Sequence, residues 1–283
     1  MLFEDCQEIL VIDQNFTKNE ALDAIATSNI LLYLAGRLKR PLLQFWTLND
    51  TVILGHMDTK LKSLDRGLAV LRANDFNYVV RNAGGLGVVS DAGILNASFY
   101  FPEQVDVSIN DAYDATTKLT QAALSEYPVQ VETGEITDSY CPGTYDLSIA
   151  GLKFSGQAQR RTKDNIGIML YYSVFGDQEA RGAMMHDFYE QANVPVHPKL
   201  HFPAVNPASM INLADKVALK SIAGNNESNE NLHLKELILT QLVKQGNTYR
   251  KVQLADIIDE QFALDFEQNM ADLTKRMEAL PHD

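Results

Sequence analysis

Apolar positions change period several times along this chain, and each change marks a predicted element. Residues 7–13, QEILVID, form an apolar run of strand length. Thr17-Lys18-Asn19-Glu20 then has the Ser/Thr-x-x-Glu form of a capping box, so a helix should begin there and run to about Leu38. Ala21, Leu22, Ile25, Asn29, Leu32, Tyr33 and Gly36 share one face of it, and Pro41 lies beyond its end. LLQFWTL (42–48) and TVILG (51–55) read as strands paired across Asn49-Asp50. A helix over 59–72 and a strand over 78–81 come next.

Gly84, Gly85 and Gly87, in RNAGGLGVVSDAGILNASFYFP (81–102), form a glycine-rich turn between two strands. The segment is neither a P-loop nor a dinucleotide fingerprint. It lacks the Lys-Ser/Thr ending, and a strand follows where a helix should. Such glycines let a backbone approach a ligand or take positive φ, and a tight hairpin explains them equally well. Residues 108–127 are amphipathic, with Ala112, Ala115, Leu119, Ala122 and Ala123 inward. A strand near 129–132 follows. DLSIA and LKFSG alternate in polarity around Ala150-Gly151, the pattern of a two-residue hairpin. Lys163-Asp164-Asn165 turns the chain into a buried strand over 166–175, and residues 177–192 read as helix. Pro195, Pro198, Pro203 and Pro207 punctuate an irregular crossing of the surface. The polar stretch GNNESNEN (224–231) divides a main domain, residues 1–224, from an extension, 225–283, of two amphipathic helices packed on it.

Composition narrows the function classes. The 283 residues are 46% hydrophobic and 22% charged, as in an ordinary globular protein. No apolar run approaches the roughly 20 residues that span a bilayer, and no basic-then-apolar leader opens the chain. Cys6 and Cys141 are too few and too far apart for a disulfide framework, which suits a cytoplasmic location. A net charge of −13 argues against nucleic acid as partner. An acidic protein would need a local basic patch, and Arg160, Arg161 and Lys163 are the densest one, though they also read as a solvated turn. The six histidines show no metal-ligand spacing with cysteines or carboxylates, so no metal site is expected.

The chemistry-bearing stretch is SYCPGTYDLSIAGLKFSGQAQRR, residues 139–161. Cys141-Pro142-Gly143 must be a turn, because proline removes a donor and glycine favours turn conformations. Lys153 sits on the returning strand. A thiol on a loop above a sheet, with an ammonium on an adjoining strand, suits thiolate chemistry. A lone cysteine also serves as a small buried hydrophobe, the reading kept for Cys6. Lys153 by itself reads as a solvated strand residue.

Two motifs together resemble one family. RNAGGLGVVSDAGILN resembles the glycine-rich signature of the lipoate–protein ligase and octanoyltransferase family, and GTYDLSIAGLKFSGQAQRR its second signature, where a lysine precedes a Ser/Ala-Gly pair. Their order and separation fit, and the likeness covers residues 20–225. It implies the α/β (α+β) cofactor-transferase domain shared with biotin ligases, a mixed sheet flanked by helices. ATP-dependent ligases usually carry a third glycine and a His-Asp pair where this chain has Leu86 and Ser90, although Asp91 remains. Cys-Pro-Gly-Thr-Tyr-Asp replaces their Gly-Arg-Asn-Asp, and a cysteine there looks like the lipoyl amidotransferase branch.

That likeness implies a path for the acyl group. Cys141 would take octanoyl from a lysine of the glycine cleavage system H protein as a thioester. A lysine on the lipoyl domain of a 2-oxoacid dehydrogenase would then accept it, with neither ATP nor any other cofactor. Lys153 would donate to the acyl oxyanion. Arg81, Gly84, Gly85, Asp91, Gly143 and Gly156 would bind substrate. An octanoyl-acyl-carrier-protein transferase, an ATP-dependent ligase and a non-catalytic acyl-binding protein remain open at this point.

Overall fold

A computed structural model describes residues 2–3, 8–102, 107–163, 165–197, 199–219 and 229–281. Cys6, Asp164, Pro198, His282 and most of the 224–231 stretch lie outside them, with the readings made there. In chain order the elements are β1 (Glu8–Phe16), α1 (Ala21–Leu38), β2 (Leu42–Leu48), β3 (Thr51–Leu54), α2 (Leu64–Ala73), β4 (Asn77–Val80), β5 (Val88–Ser90) and β6 (Ile94–Pro102). There follow α3 (Ile109–Ala123), β7 (Val131–Thr133), β8 (Leu147–Ile149), β9 (Leu152–Arg161), β10 (Asn165–Ser173) and α4 (Gln178–Ala192). The chain closes with α5 (Asn229–Lys244), β11 (Thr248–Lys251) and α6 (Glu260–Glu278). Among the described residues no helix is long and apolar enough to cross a membrane.

The capping box forms as expected, with the Thr17 N–H and hydroxyl donating to the Glu20 carboxylate at 2.8 and 2.7 Å. The helix it starts is buried on more than one face, because it lies between the main sheet and α6. Tyr33, expected inward, is instead 36% exposed, with the Arg160 guanidinium over its ring.

Eight strands form a mixed sheet in the order β11-β1-β2-β6-β10-β9-β8-β7, and a second sheet has the order β4-β3-β5. This corrects the expected pairing of 42–48 with 51–55. β2 is flanked by β1 on one edge and β6 on the other, so both its ladders are taken. β3 turns away at Asp50, which has φ of 39°, and pairs with β4 and β5 in the small sheet. Since those two strands flank β3 on opposite sides, the glycine segment between them is a crossover and not a hairpin. β11 was not foreseen. Its residues TYRK are all exposed, so no apolar alternation announces an edge strand that nonetheless pairs with β1.

Register in the main sheet builds one wall of a cavity. Gly156, Tyr171, Asn96 and Trp46 stand opposite one another across β9, β10, β6 and β2, and Ala158, Met169, Ser98 and Gln44 form the row two residues on. Strand side chains alternate in facing, so these rows present one face, which α1 covers with Ile25 and Ser28.

Candidate active site

The turn that carries Cys141 is built by hydrogen bonds from below. Ala150 and Gly151 both have positive φ, 52° and 76°, the geometry of a two-residue hairpin, and this brings β9 back beneath residues 139–141. There the Lys153 ammonium donates to Ser139 Oγ (3.1 Å), Tyr140 O (3.0 Å) and Cys141 O (2.8 Å), and pairs with Asp146 Oδ1 at 3.0 Å. Asp146 Oδ2 accepts the Gly143 and Ile136 N–H groups. Lys153 and Asp146 are 1% and 2% exposed, and burial raises the Asp146 carboxyl above its ordinary pKa against the pull of Lys153. Held this way, Cys141 adopts φ of 49°, a left-handed conformation that costs a non-glycine residue strain energy.

Lys153 is therefore engaged beneath the cysteine turn. Its ammonium has three protons and four acceptors within 3.1 Å, so none is spare for an acyl carbonyl. Nor is it among the residues lining the cavity. It shapes the cysteine turn. The cation beside the sulfur is Arg81, with Nη2 3.7 Å from Cys141 Sγ.

The glycine crossover lies over that sulfur. Leu86 N–H donates to Sγ at 3.1 Å, and Arg81 Nη2 donates to the Gly84 and Leu86 carbonyls at 2.9 and 3.0 Å. Gly85 has φ of 90°, and a Cβ there would sit 3.0 Å from Sγ and 2.7 Å from Arg81 Nη2. Only glycine fits. Gly55, which the sequence did not single out, matters for the same reason, since its Cβ would lie 2.0 Å from the Gly85 carbonyl oxygen.

Beside the half-buried sulfur opens a cavity of about 270 Å³. Ile25, Trp46, Ile53, Val88, Met169 and Tyr171 supply its apolar lining, and Arg81, Gly84, Gly85, Cys141, Gly143 and Gly156 also reach it. Gly156 lets the Tyr171 ring lie close, since a Cβ would approach that ring to 2.9 Å. Asn29 and Asn96 line it with amide nitrogens that have no hydrogen-bond partner.

Asp91 does not join this group. Arg181 grips both its oxygens at 2.7 Å, Oδ1 also accepts the Gly93 N–H, and the residue is absent from the cavity lining. The basic trio also divides. Arg160 reaches the cavity rim, while Arg161 is tied to the Val107 and Ser108 carbonyls before α3. One grouping was passed over in the sequence: His186, Asp187 and Glu190, exposed on α4, bring potential ligand atoms within 4.8 Å of one another. His186 Nδ1 is already bonded to the Val205 carbonyl, and the trio lies outside the cavity lining.

Comparison with known proteins gives this geometry a context. The profile of the lipoyl protein ligase A/B catalytic domain matches residues 20–223. An octanoyl-[GcvH]:protein N-octanoyltransferase of Lysinibacillus sphaericus is 38% identical over 200 residues, 70% of this chain and 72% of that protein. A lipoyl-[GcvH]:protein N-lipoyltransferase of Listeria monocytogenes is 38% identical over 214 residues, 74% and 77% of the two chains. Across three of the octanoyltransferase relatives the match spans 60 to 72% of their length. The crystal structure of lipoate-protein ligase A bound with ATP superimposes with a TM-score of 0.69, at 15% identity over 94% of both chains, a likeness of fold alone.

Proposed function

Because the chain belongs to the lipoyl protein ligase A/B catalytic-domain family, we propose that it is an acyltransferase that moves an octanoyl group between protein lysines through Cys141. The donor is an octanoylated lysine of the glycine cleavage system H protein, the partner named for the relatives. The acceptor is a lysine on the lipoyl domains of 2-oxoacid dehydrogenases, and the reaction belongs in the cytoplasm.

One observation carries the reading: a cysteine sulfur at an apolar cavity, with an N–H and a guanidinium turned towards it. The Cys141 thiolate attacks the octanoyl amide carbonyl, and the carbonyl electrons move onto oxygen. Leu86 N–H, which faces the sulfur, and Arg81, which lines the cavity, take the oxyanion role in place of Lys153, which does not line it. Collapse expels the donor lysine as an amine that takes up a proton, leaving a thioester on sulfur. The acceptor lysine, as a neutral amine, then attacks the thioester, gives up a proton and returns the thiolate. One amide is exchanged for another, so no ATP and no cofactor are consumed.

Sequestering the acyl tail contributes at most about 6 kcal/mol, at about 0.8 kcal/mol per CH₂. The test is mass spectrometry of the protein after mixing with octanoylated H protein. A single octanoyl adduct, absent in Cys141→Ala, is expected; no adduct on the unaltered chain would sink the proposal.

A further inference from the structure

The loop that covers the sulfur is itself gripped by a buried acid. Asp58 follows β3 on a short turn and is 0% exposed. Its Oδ2 accepts the Gly55 N–H at 2.7 Å, and its Oδ1 accepts the Tyr189 hydroxyl of α4 at 3.0 Å. That hydroxyl, on a residue only 3% exposed, accepts the Gly87 N–H at 3.0 Å. Gly55 is the residue against which the Gly85 carbonyl packs, and Gly87 ends the loop. One carboxylate thus holds the backing and the end of a segment whose middle residue, Leu86, reaches Cys141 Sγ.

We propose that Asp58 and Tyr189 are positioning residues for the transfer, fixing residues 84–87 so that Leu86 N–H meets the cysteine sulfur, and that proton uptake by Asp58 loosens this grip. The proposal rests on the reading of Cys141 as nucleophile. Neither residue lines the cavity, so both act through the loop. Ionised, the carboxylate accepts one donor on each oxygen. Protonated, it has one oxygen that must itself donate, and one of the two bonds is lost or reversed.

The surroundings let this happen near neutral pH. Burial pushes the Asp58 carboxyl up to about 6, against the lowering effects of the Gly55 N–H, Tyr189 on α4, and Arg81 at the end of β4. Cys141 acts on Tyr189 from the hairpin side, and burial keeps that phenol well above its ordinary pKa, so it stays a donor.

The experiment uses the full chain with octanoylated H protein and a lipoyl domain, following kcat and KM from pH 5 to 8 for the wild type, D58N, Y189F and C141A. Alkylation of Cys141 by iodoacetamide and thermal melting are read in parallel. D58N and Y189F should each lower kcat by roughly tenfold to a hundredfold at pH 7.5, with KM within about twofold, the scale of a displaced reacting group. The wild-type rate should fall with a midpoint near pH 6 on the acid side, and this limb should vanish in D58N. Melting of Y189F within a few degrees of wild type would separate positioning from lost fold. Wild-type kcat in both variants, with C141A inactive, would overturn the positioning role alone; so would an unchanged acid limb in D58N. An active C141A would overturn the nucleophile reading and the inference with it.

Discussion

Two polar clusters meet at Cys141, and they are built in opposite ways. Beneath it, Lys153 and Asp146 are almost fully buried, and every ammonium proton has an acceptor. Beside it, Cys141 is half-buried, Leu86 N–H and Arg81 Nη2 are turned towards its sulfur, and Cys141 and Arg81 line the cavity. A closed network rigidifies and is costly to disturb, because a partner left behind is a buried unpaired group. The second cluster lies at the edge of the cavity, where a bound acyl group can take over contacts that its donors make to the sulfur and to loop carbonyls. The first cluster should govern stability and the second rate.

Losing the sulfur gives the largest expected effect. C141A should lower turnover about a thousandfold or more, as loss of a nucleophile does, with melting close to wild type. An equal fall in melting temperature would erase the distinction. K153A should show the reverse emphasis, destabilising by about 3–5 kcal/mol in urea unfolding because Asp146 is left buried and unpaired. Neutralising both partners in K153M/D146N should recover much of that, which a purely catalytic lysine would not predict. G85A belongs to the second cluster. It should cost about 1 kcal/mol or a little more through its positive φ, yet lower kcat roughly tenfold by moving the loop off the sulfur. D91N should destabilise by about 1–3 kcal/mol through the weakened Arg181 contact and leave KM unchanged.

A further effect concerns pH and stability. Folding raises the Asp58 carboxyl from 3.8 to about 6, so the folded chain holds its proton more tightly than the unfolded one. Its contribution is therefore fully present below about pH 4 and declines as pH rises through 6. The stability of wild type relative to D58N should shrink over that window, measured by urea unfolding at pH 4, 5 and 7.5. A gap that grows with pH would contradict the burial argument.

How far the site could be read depended on how local its causes are. The hairpin was legible because Ala150-Gly151 between alternating strands is a turn signal complete within a few residues. Gly84 and Gly85 were legible as a loop, yet whether it closed a hairpin or crossed over β3 depended on which strand edges were free. Asp91 and Lys153 were recognisable as polar residues near the right motifs. Asp91 is claimed by Arg181, 90 positions away, and Lys153 by the very turn it was expected to serve. Asp58 and Tyr189 gave no signal at all, being 131 positions apart and joined only by packing.

By itself the sequence determined the periodic elements, the cysteine turn and the two motifs that mark its family, since each follows from neighbours along the chain. Tertiary structure alone decided which donors are buried beneath the sulfur and which face it beside the cavity. A hydrogen bond depends on distance and burial, and both are set by elements that meet only when the chain has folded.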